Sequence, residues 1–332
     1  YHDGQDRPIS PALRERIEHG LFGYACDPTE LREVVVQRLH TRYGWQVAPE
    51  ALVFIPGVAR GFHITCRAFA APGDGLLIQT PVYPPILTAH TQAGLTSNIA
   101  ALAHQANGGY LVDMDVFDHT ITERTRIFLL CNPHNPVGRA FRRDELAAMA
   151  EVCLRRNVLI CSDEIHSDIV FPPHQHIPIA SLSPDIAQQS ITLISPSKTF
   201  NIPGLKAAVA IIPNPKLRAT FEALQAPLAG GVNILGVTAA IAAYRDSQDW
   251  LDQQLAYLAE NSAALLRYVH ATMPSITVYP PEATFLAWLD CRAAGIPGNA
   301  YKFFLEKARV ALQDGATFGR DGEGFVRLNF GC

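Results

Sequence analysis

Ser195-Pro196-Ser197-Lys198-Thr199-Phe200-Asn201-Ile202-Pro203-Gly204-Leu205-Lys206 is a polar connection held between two apolar runs. Ile191-Thr192-Leu193-Ile194 leads into it and Ala207-Ala208-Val209-Ala210-Ile211-Ile212 leads out. Both flanks read as buried strands, so Lys198 sits in a tight turn between two pieces of sheet. A lysine pressed against apolar surroundings loses solvation, which favours its neutral, nucleophilic amine. Such an amine can form a Schiff base with a carbonyl compound. Taken alone, an S-x-x-K turn suits a surface loop with two solvated lysines equally well; what sharpens it lies elsewhere in the chain.

Upstream, Arg126-Ile127-Phe128-Leu129-Leu130-Cys131 is a continuous apolar run, expected of a parallel strand covered on both faces. It passes directly into Asn132-Pro133-His134-Asn135-Pro136-Val137-Gly138. A helix is predicted from Asp144 to Arg156, then a strand Val158-Leu159-Ile160-Cys161 ending in Ser162-Asp163-Glu164-Ile165-His166-Ser167-Asp168. Earlier still, the strand Leu52-Val53-Phe54-Ile55 meets Pro56-Gly57-Val58-Ala59-Arg60-Gly61, which opens an amphipathic helix to about Ala70. A glycine turn feeding a helix N-terminus presents free N–H groups and the positive dipole end, which suits a phosphate. The strand Leu76-Leu77-Ile78-Gln79 ends at Thr80-Pro81-Val82-Tyr83. Strands alternating with helices predict a doubly wound α/β sheet. In such sheets ligands lie beyond the carboxyl ends of the strands. Tyr83, Asn135, Asp163 and Lys198 all fall at or just past such ends.

The flanking segments differ in character. Ser10 followed by Pro11 reads as an N-cap with proline at the first helical position, and a second helix is expected from about Pro28 to Tyr43. From Gly231 to about His270 the pattern is long, helical and rich in alanine. The remainder is α+β: strands Ile276–Val278 and Thr284–Leu289, a helix Ala300–Val310 and a strand Phe325–Phe330. The expected division is a large domain over 28–240 and a smaller α+β domain from 1–27 and 241–332, joined by a connecting helix near 232–270.

With 332 residues, 48% of them apolar and 17% charged, the chain is globular and long enough for two domains. A net charge of −4 and the lack of a basic run exclude an electrostatic footprint for nucleic acid. Seven cysteines, none in C-x-x-C spacing and several inside apolar runs, read as buried thiols of a reducing compartment. No stretch is long enough to span a bilayer and no signal peptide is present, so a cytoplasmic location is expected. The first residue is Tyr1, not methionine, so the native N-terminus is expected to lie upstream. His174-Gln175-His176 has no third ligand spaced to match, and no metal is expected.

A Schiff-base lysine, a carboxylate, a phosphate cradle and a stacking aromatic together describe a pyridoxal 5′-phosphate site. The cofactor's pyridine nitrogen must stay protonated, and a buried carboxylate such as Asp163 does that. Asn135 suits the ring oxygen, Tyr83 the ring face. The backbone of Val58 and Ala59, the Ser195 hydroxyl and the Lys206 ammonium suit the phosphate. Each residue also has a plainer reading. Asp163 suits a strand-end cap, Asn135 a turn, Tyr83 simple packing and His166 a satisfied structural histidine. Backbone contacts at Val58 and Ala59 leave no residue-type signature. Arg327 is harder to dismiss, because an arginine in an apolar strand needs an anionic partner.

At these motifs the chain resembles the fold-type I pyridoxal phosphate enzymes, the aspartate aminotransferase superfamily. Asn132-Pro-His-Asn135-Pro-Val-Gly138, Asp163-Glu-Ile-His166, Ser195-Pro-Ser-Lys198 with Lys206, and Arg327-Leu-Asn329 carry the resemblance across most of the chain. Phe22-Gly23-Tyr24, Pro281-Glu-Ala-Thr-Phe-Leu-Ala-Trp-Leu-Asp290 and Phe325-Val-Arg-Leu-Asn-Phe330 are similar to the MalY/PatB-type cystathionine β-lyases. The resemblance implies a three-layer α/β/α large domain with a mostly parallel sheet. It implies Lys198 as the cofactor-bonding lysine and base, Asp163 at the pyridinium and Asn135 at the ring oxygen. His166 stands where many aminotransferases have a tyrosine, and Lys206 where they have arginine. Ser195, Lys206 and the Gly57 turn would hold the phosphate, and Arg327 the substrate carboxylate. Tyr24 would reach the phosphate of the neighbouring subunit, implying a homodimer with shared sites. The family usually has more chain before the Ser10 helix and a further helix beyond Gly331-Cys332. The implied reaction is α,β-elimination from cystathionine or another cysteine S-conjugate. The rival is an aminotransferase on the same scaffold, and more remotely a pyridoxal phosphate-binding regulatory protein without turnover.

Overall fold

In the computed structural model, residues 8–23, 25 and 28–331 are described. The strands of the first part of the chain are β1 (Leu52–Ile55), β2 (Gly75–Ile78), β3 (Thr96–Ile99), β4 (Ala103–His104), β5 (Tyr110–Leu111) and β6 (Thr125–Cys131). They are followed by β7 (Leu159–Asp163), β8 (Ser190–Ile194), β9 (Ala208–Ile211), β10 (Thr277–Val278), β11 (Leu286–Asp290), β12 (Gln313–Asp314) and β13 (Phe325–Asn329).

Seven strands form one sheet in the order β1-β9-β8-β7-β6-β2-β3. β9 runs antiparallel to both its neighbours, and the pairs from β8 through β3 are parallel. The continuous apolar runs are what this requires, because successive side chains point to opposite faces and both faces are covered. Leu76, Ile78, Ile127 and Leu129 pack with Phe62, Ile64 and Cys66 of the helix Val58–Phe69. Leu77, Phe128 and Leu130 pack on the other face with Phe117, Leu146 and Met149. The helix Val58–Phe69 lies close against the sheet at Gly61, where a Cβ would meet Ile55 Cδ1 at 2.7 Å and Leu193 Cδ2 at 2.8 Å. The result is the three-layer α/β/α arrangement.

A four-stranded antiparallel sheet, β10-β11-β13-β12, stands beside it. Its core includes Ala287, Leu289 and Val326 with Leu258 of the long helix Gln248–Thr272. The buried Arg139 ties the two sheets together. It makes two bonds of 2.8 and 2.9 Å to Glu145 and lies 3.6 Å from Glu282, whose Oε2 accepts the Ala140 N–H at 3.0 Å.

Three local expectations are corrected. The first helix runs Ile9–Glu18, so Ser10 lies inside it and does not cap it: the backbone is already helical at Pro8, which makes no side-chain capping bond. The pattern over 232–270 is two helices, Ile234–Asp246 and Gln248–Thr272, not one connecting helix. They break at Ser247, whose hydroxyl donates back to the Ala242 carbonyl at 2.9 Å, and such bonds compete with the helical ladder. The helix expected over 300–310 is α-helical only at Ala300–Phe303, then widens into a π-type turn that ends at Arg309 in the left-handed region. No helix among the described residues is long and apolar enough to cross a membrane.

Candidate active site

The ends of β6, β7 and β8 are held level by ladder bonds that continue past the strands. Asn132 N–H donates to the Asp163 carbonyl at 3.0 Å, and Glu164 N–H to the Leu193 carbonyl at 2.9 Å. Tyr83, beyond β2, donates its N–H to the Asn135 carbonyl at 3.0 Å. Four separate strand ends are thereby drawn to one edge of the sheet, where a cavity of about 320 Å³ opens. Val58, Ala59, Tyr83, Asn135, Asp163, His166, Lys198 and Arg327 all line it.

Each titratable group there is displaced by its surroundings. Burial, then the charge of Arg327, lowers the Lys198 amine below its ordinary value, with Asp163 acting in the opposite sense. Burial raises Asp163 to about 7, against the Ile165 N–H that donates to its Oδ1 at 3.1 Å. Burial and the two nearby cations lower His166 to about 3, so the imidazole is neutral over the working range. Its Nδ1 is buried without a hydrogen-bond partner. Burial lowers Arg327 to about 10.

Arg327 lacks the anionic partner that its strand position leads one to expect. Its guanidinium donates to the amide oxygens of Asn135 and Gln313 and lies over the Phe318 ring at 4.7 Å. Its Nε is buried and unpartnered. Among the described residues no carboxylate lies within ion-pair distance of it.

Three predicted residues lie off the cavity wall. Gly57 caps the helix Val58–Phe69 with φ 132°, and the first two residues of that helix, Val58 and Ala59, line the cavity. Ser195 is buried and caps the short helix Pro196–Thr199. Its hydroxyl is engaged with the Ala207 carbonyl at 2.6 Å and with Ser197 Oγ at 2.7 Å. Lys206 is exposed, in the left-handed region with φ 50°. Tyr24 lies outside the described residues.

The cavity also includes residues that sequence reasoning missed, among them Cys131, Phe285, Gln313 and Asn329. Asn329 has a signal: it is two residues after Arg327 on β13, hence on the same face. Gln313 has none, because it is placed by pairing opposite Arg327 on a two-residue strand.

The family model for aminotransferase class I and II matches residues 11–332. The chain is 39% identical over 327 residues to cystathionine beta-lyase PatB of Bacillus subtilis (strain 168), covering 98% of this chain and 84% of that one. It is 34% identical to protein MalY of Escherichia coli (strain K12), with 98% and 83% covered. Among solved structures it is similar to cystalysin from Treponema denticola, which contains a pyridoxal 5′-phosphate cofactor. There the TM-score is 0.95 at 28% identity, with 98% of this chain and 83% of that chain covered.

Proposed function

Because the chain belongs to the aminotransferase class I and II family, with cystathionine β-lyases among its similar relatives, we infer that it is a pyridoxal 5′-phosphate-dependent carbon–sulfur β-lyase. The aminotransferase alternative has less support: curated relatives named cystathionine β-lyase are 39% and 30% identical, whereas those named aspartate aminotransferase are 24% and 25% identical. The substrate is an amino acid with sulfur on Cβ, and with one water consumed the products are a thiol, pyruvate and ammonia.

The cavity fits the cofactor. Lys198, with a lowered amine, and Asp163, with a buried carboxylate, line one space with two orphaned nitrogens, His166 Nδ1 and Arg327 Nε. The N-terminus of the helix Val58–Phe69, with the Gly57 turn before it, supplies N–H groups for a phosphate. Ser195 and Lys206 lie off the cavity wall. To join the phosphate, the Ser195 hydroxyl would exchange its bond to the Ala207 carbonyl for it and the Lys206 side chain would swing in. Bound there, pyridoxal phosphate supplies an electron sink for the pair left at Cα. Asp163 would hold the proton at the pyridine nitrogen, Asn135 and His166 would serve the ring oxygen, and Tyr83 would lie against the ring. Arg327 binds the substrate carboxylate in a fork-to-carboxylate pair, which no carboxylate of the described chain competes for. Lys198, as neutral amine, takes the Cα proton, and the Cβ–S bond then breaks with departure of the thiolate.

The active form is a homodimer in which Tyr24 reaches the neighbouring phosphate. Exposure of Leu21 and Phe22 beside it, 66% and 55% in the single chain, supports an apolar contact there. The free, buried thiols of Cys66, Cys131, Cys153, Cys161 and Cys291 support a cytoplasmic setting.

The observation that carries the reading is Lys198 and Asp163 on one cavity with Arg327, which has no carboxylate partner among the described residues. Incubation with L-cystathionine and no 2-oxo acid should release pyruvate and thiol, and Lys198→Ala should reduce that by at least about 100-fold. Turnover that requires a 2-oxo acid co-substrate would overturn the lyase assignment.

A further inference from the structure

Residues 163–168 form a turn whose side chains divide between two tasks. Asp163, Ile165 and His166 face the cavity. Glu164 and Asp168 face away, and both are buried. Glu164 accepts from Ser162 Oγ at 2.9 Å, approaches His176 Nε2 at 2.8 Å and accepts from the Ile179 N–H at 3.2 Å, so it is anchored within its own neighbourhood. Asp168 reaches further.

Its Oδ1 forms an ion pair with Arg38 at 2.8 Å, lies 3.6 Å from Arg42 and accepts the Tyr43 hydroxyl at 2.8 Å. All three belong to the helix Thr29–Tyr43. Its Oδ2 accepts the hydroxyl of Thr199, at 3.4 Å, which is the residue after Lys198. The next residue, Phe200, lies with its ring 5.7 Å from the Arg38 guanidinium carbon. The lysine turn is therefore docked on the same buried cluster as the turn that carries Asp163 and His166. Burial pushes the Asp168 carboxyl up, but the two arginines and the hydrogen bonds more than offset this and hold it below its ordinary value.

We propose that Asp168 is a positioning residue that sets the placement of Lys198 relative to Asp163 and His166 across the cavity, through Thr199 on one side and its own turn on the other. A cofactor held by Lys198 and by Asp163 would need groups from both turns, so capturing it would demand that both be held in register. A one-ångström error in such placement costs far more than the lost contact itself. This rests on the pyridoxal phosphate reading above.

The test follows uptake of pyridoxal phosphate by cofactor-free protein. The absorption band gives the rate, and the visible circular dichroism of the bound chromophore gives its orientation. Both are read well below each variant's own melting midpoint, so lower stability alone moves neither. Thr199→Val removes only the hydroxyl contact and is expected to slow capture about fivefold, the size of one neutral hydrogen bond. Asp168→Asn, which also strips the charge facing Arg38, is expected to slow it about tenfold or more. Both should alter the circular dichroism band. A slowed capture with an altered band in either variant supports the proposal. Native capture and a native band in Thr199→Val overturn it when Asp168→Asn is also native or fails to fold. A wild-type chain that takes up no cofactor sinks the underlying reading as well, whereas native uptake in the variants sinks this proposal alone.

Discussion

The Arg327 guanidinium donates to the side-chain oxygen of Asn135, so a cation of the small sheet meets the strand-end loop of the large one at the cavity. Both amide partners of Arg327 are neutral, and the charge is left for a ligand. A lysine here keeps the charge and loses the fork. Arg327→Lys should raise KM for the amino-acid substrate by about tenfold to a hundredfold while the melting temperature stays near native. Steady-state kinetics with thermal melts checks this; a large loss of stability with unchanged KM would make Arg327 structural.

Asp163 is expected to be a liability for the cofactor-free fold. Its carboxyl, lifted by burial to about 7, keeps its proton in the folded chain where the unfolded chain has released it. That contribution to stability is full below the unfolded value and is lost as pH rises through about 7. Asp163→Asn removes the loss. Cofactor-free Asp163→Asn should melt no lower than wild type well above pH 7, lose that advantage in acid, and bind the cofactor more weakly. Thermal melts in both ranges, with a cofactor titration, would expose a failure as lower melting in alkali.

His166 acts in the opposite direction. Its imidazole is lowered by burial, Lys198 and Arg327 to about 3, so the folded chain resists a proton that the unfolded chain accepts near its usual value of about 6.5. Stability from this group is present above that usual value and declines as pH falls towards about 3. His166→Gln should flatten the acid side of the melting-temperature profile. The rate–pH profile of the wild type should carry no histidine limb from this residue above about pH 5.

The Arg139 cluster separates two kinds of loss. Glu145 makes the two close bonds to Arg139, and its removal leaves a buried guanidinium poorly compensated. Glu145→Ala should cost about 3–5 kcal/mol. Glu282 lies further from Arg139 and mainly accepts the Ala140 N–H. Glu282→Ala should cost about 1–3 kcal/mol, the penalty of one buried unsatisfied donor. Denaturant midpoints of the two variants give the order, and the reverse order would contradict it.

Much of the frame was legible because punctuation and periodicity coincide. At Cys131-Asn132-Pro133, Ser162-Asp163 and Ile194-Ser195-Pro196 an apolar run stops at a polar residue, and each stop is a strand end on the cavity edge. The central strands explain why: β6, β7 and β8 are covered on both faces, so their interiors are mostly apolar and polar residues gather where they end. Legibility failed where position depends on what the chain meets later. Cys131 read as a core thiol, yet it stands on the cavity wall. Gln313 belongs to a strand too short to have a period, and pairing alone places it beside Arg327. β3, with Thr96 and Ile99 exposed, carries no apolar alternation to betray it. Ser10 had the right chemistry for a cap, but Pro8 began the turn first.

β9 lies antiparallel beside β8, with Ile194 opposite Val209, so the lysine turn is closed by its own two flanks. Asp163 and Asn135 reach the site through crossovers that need distant pairings before they are placed. The lysine segment is instead a short local loop, whose closure entropy is small and nearly independent of the rest of the sheet. It therefore joins the cavity by two separate means: the local pairing of β8 with β9 fixes where residues 195–207 begin and end, and the buried Asp168 cluster at Thr199 and Phe200 fixes where Lys198 stands between those ends.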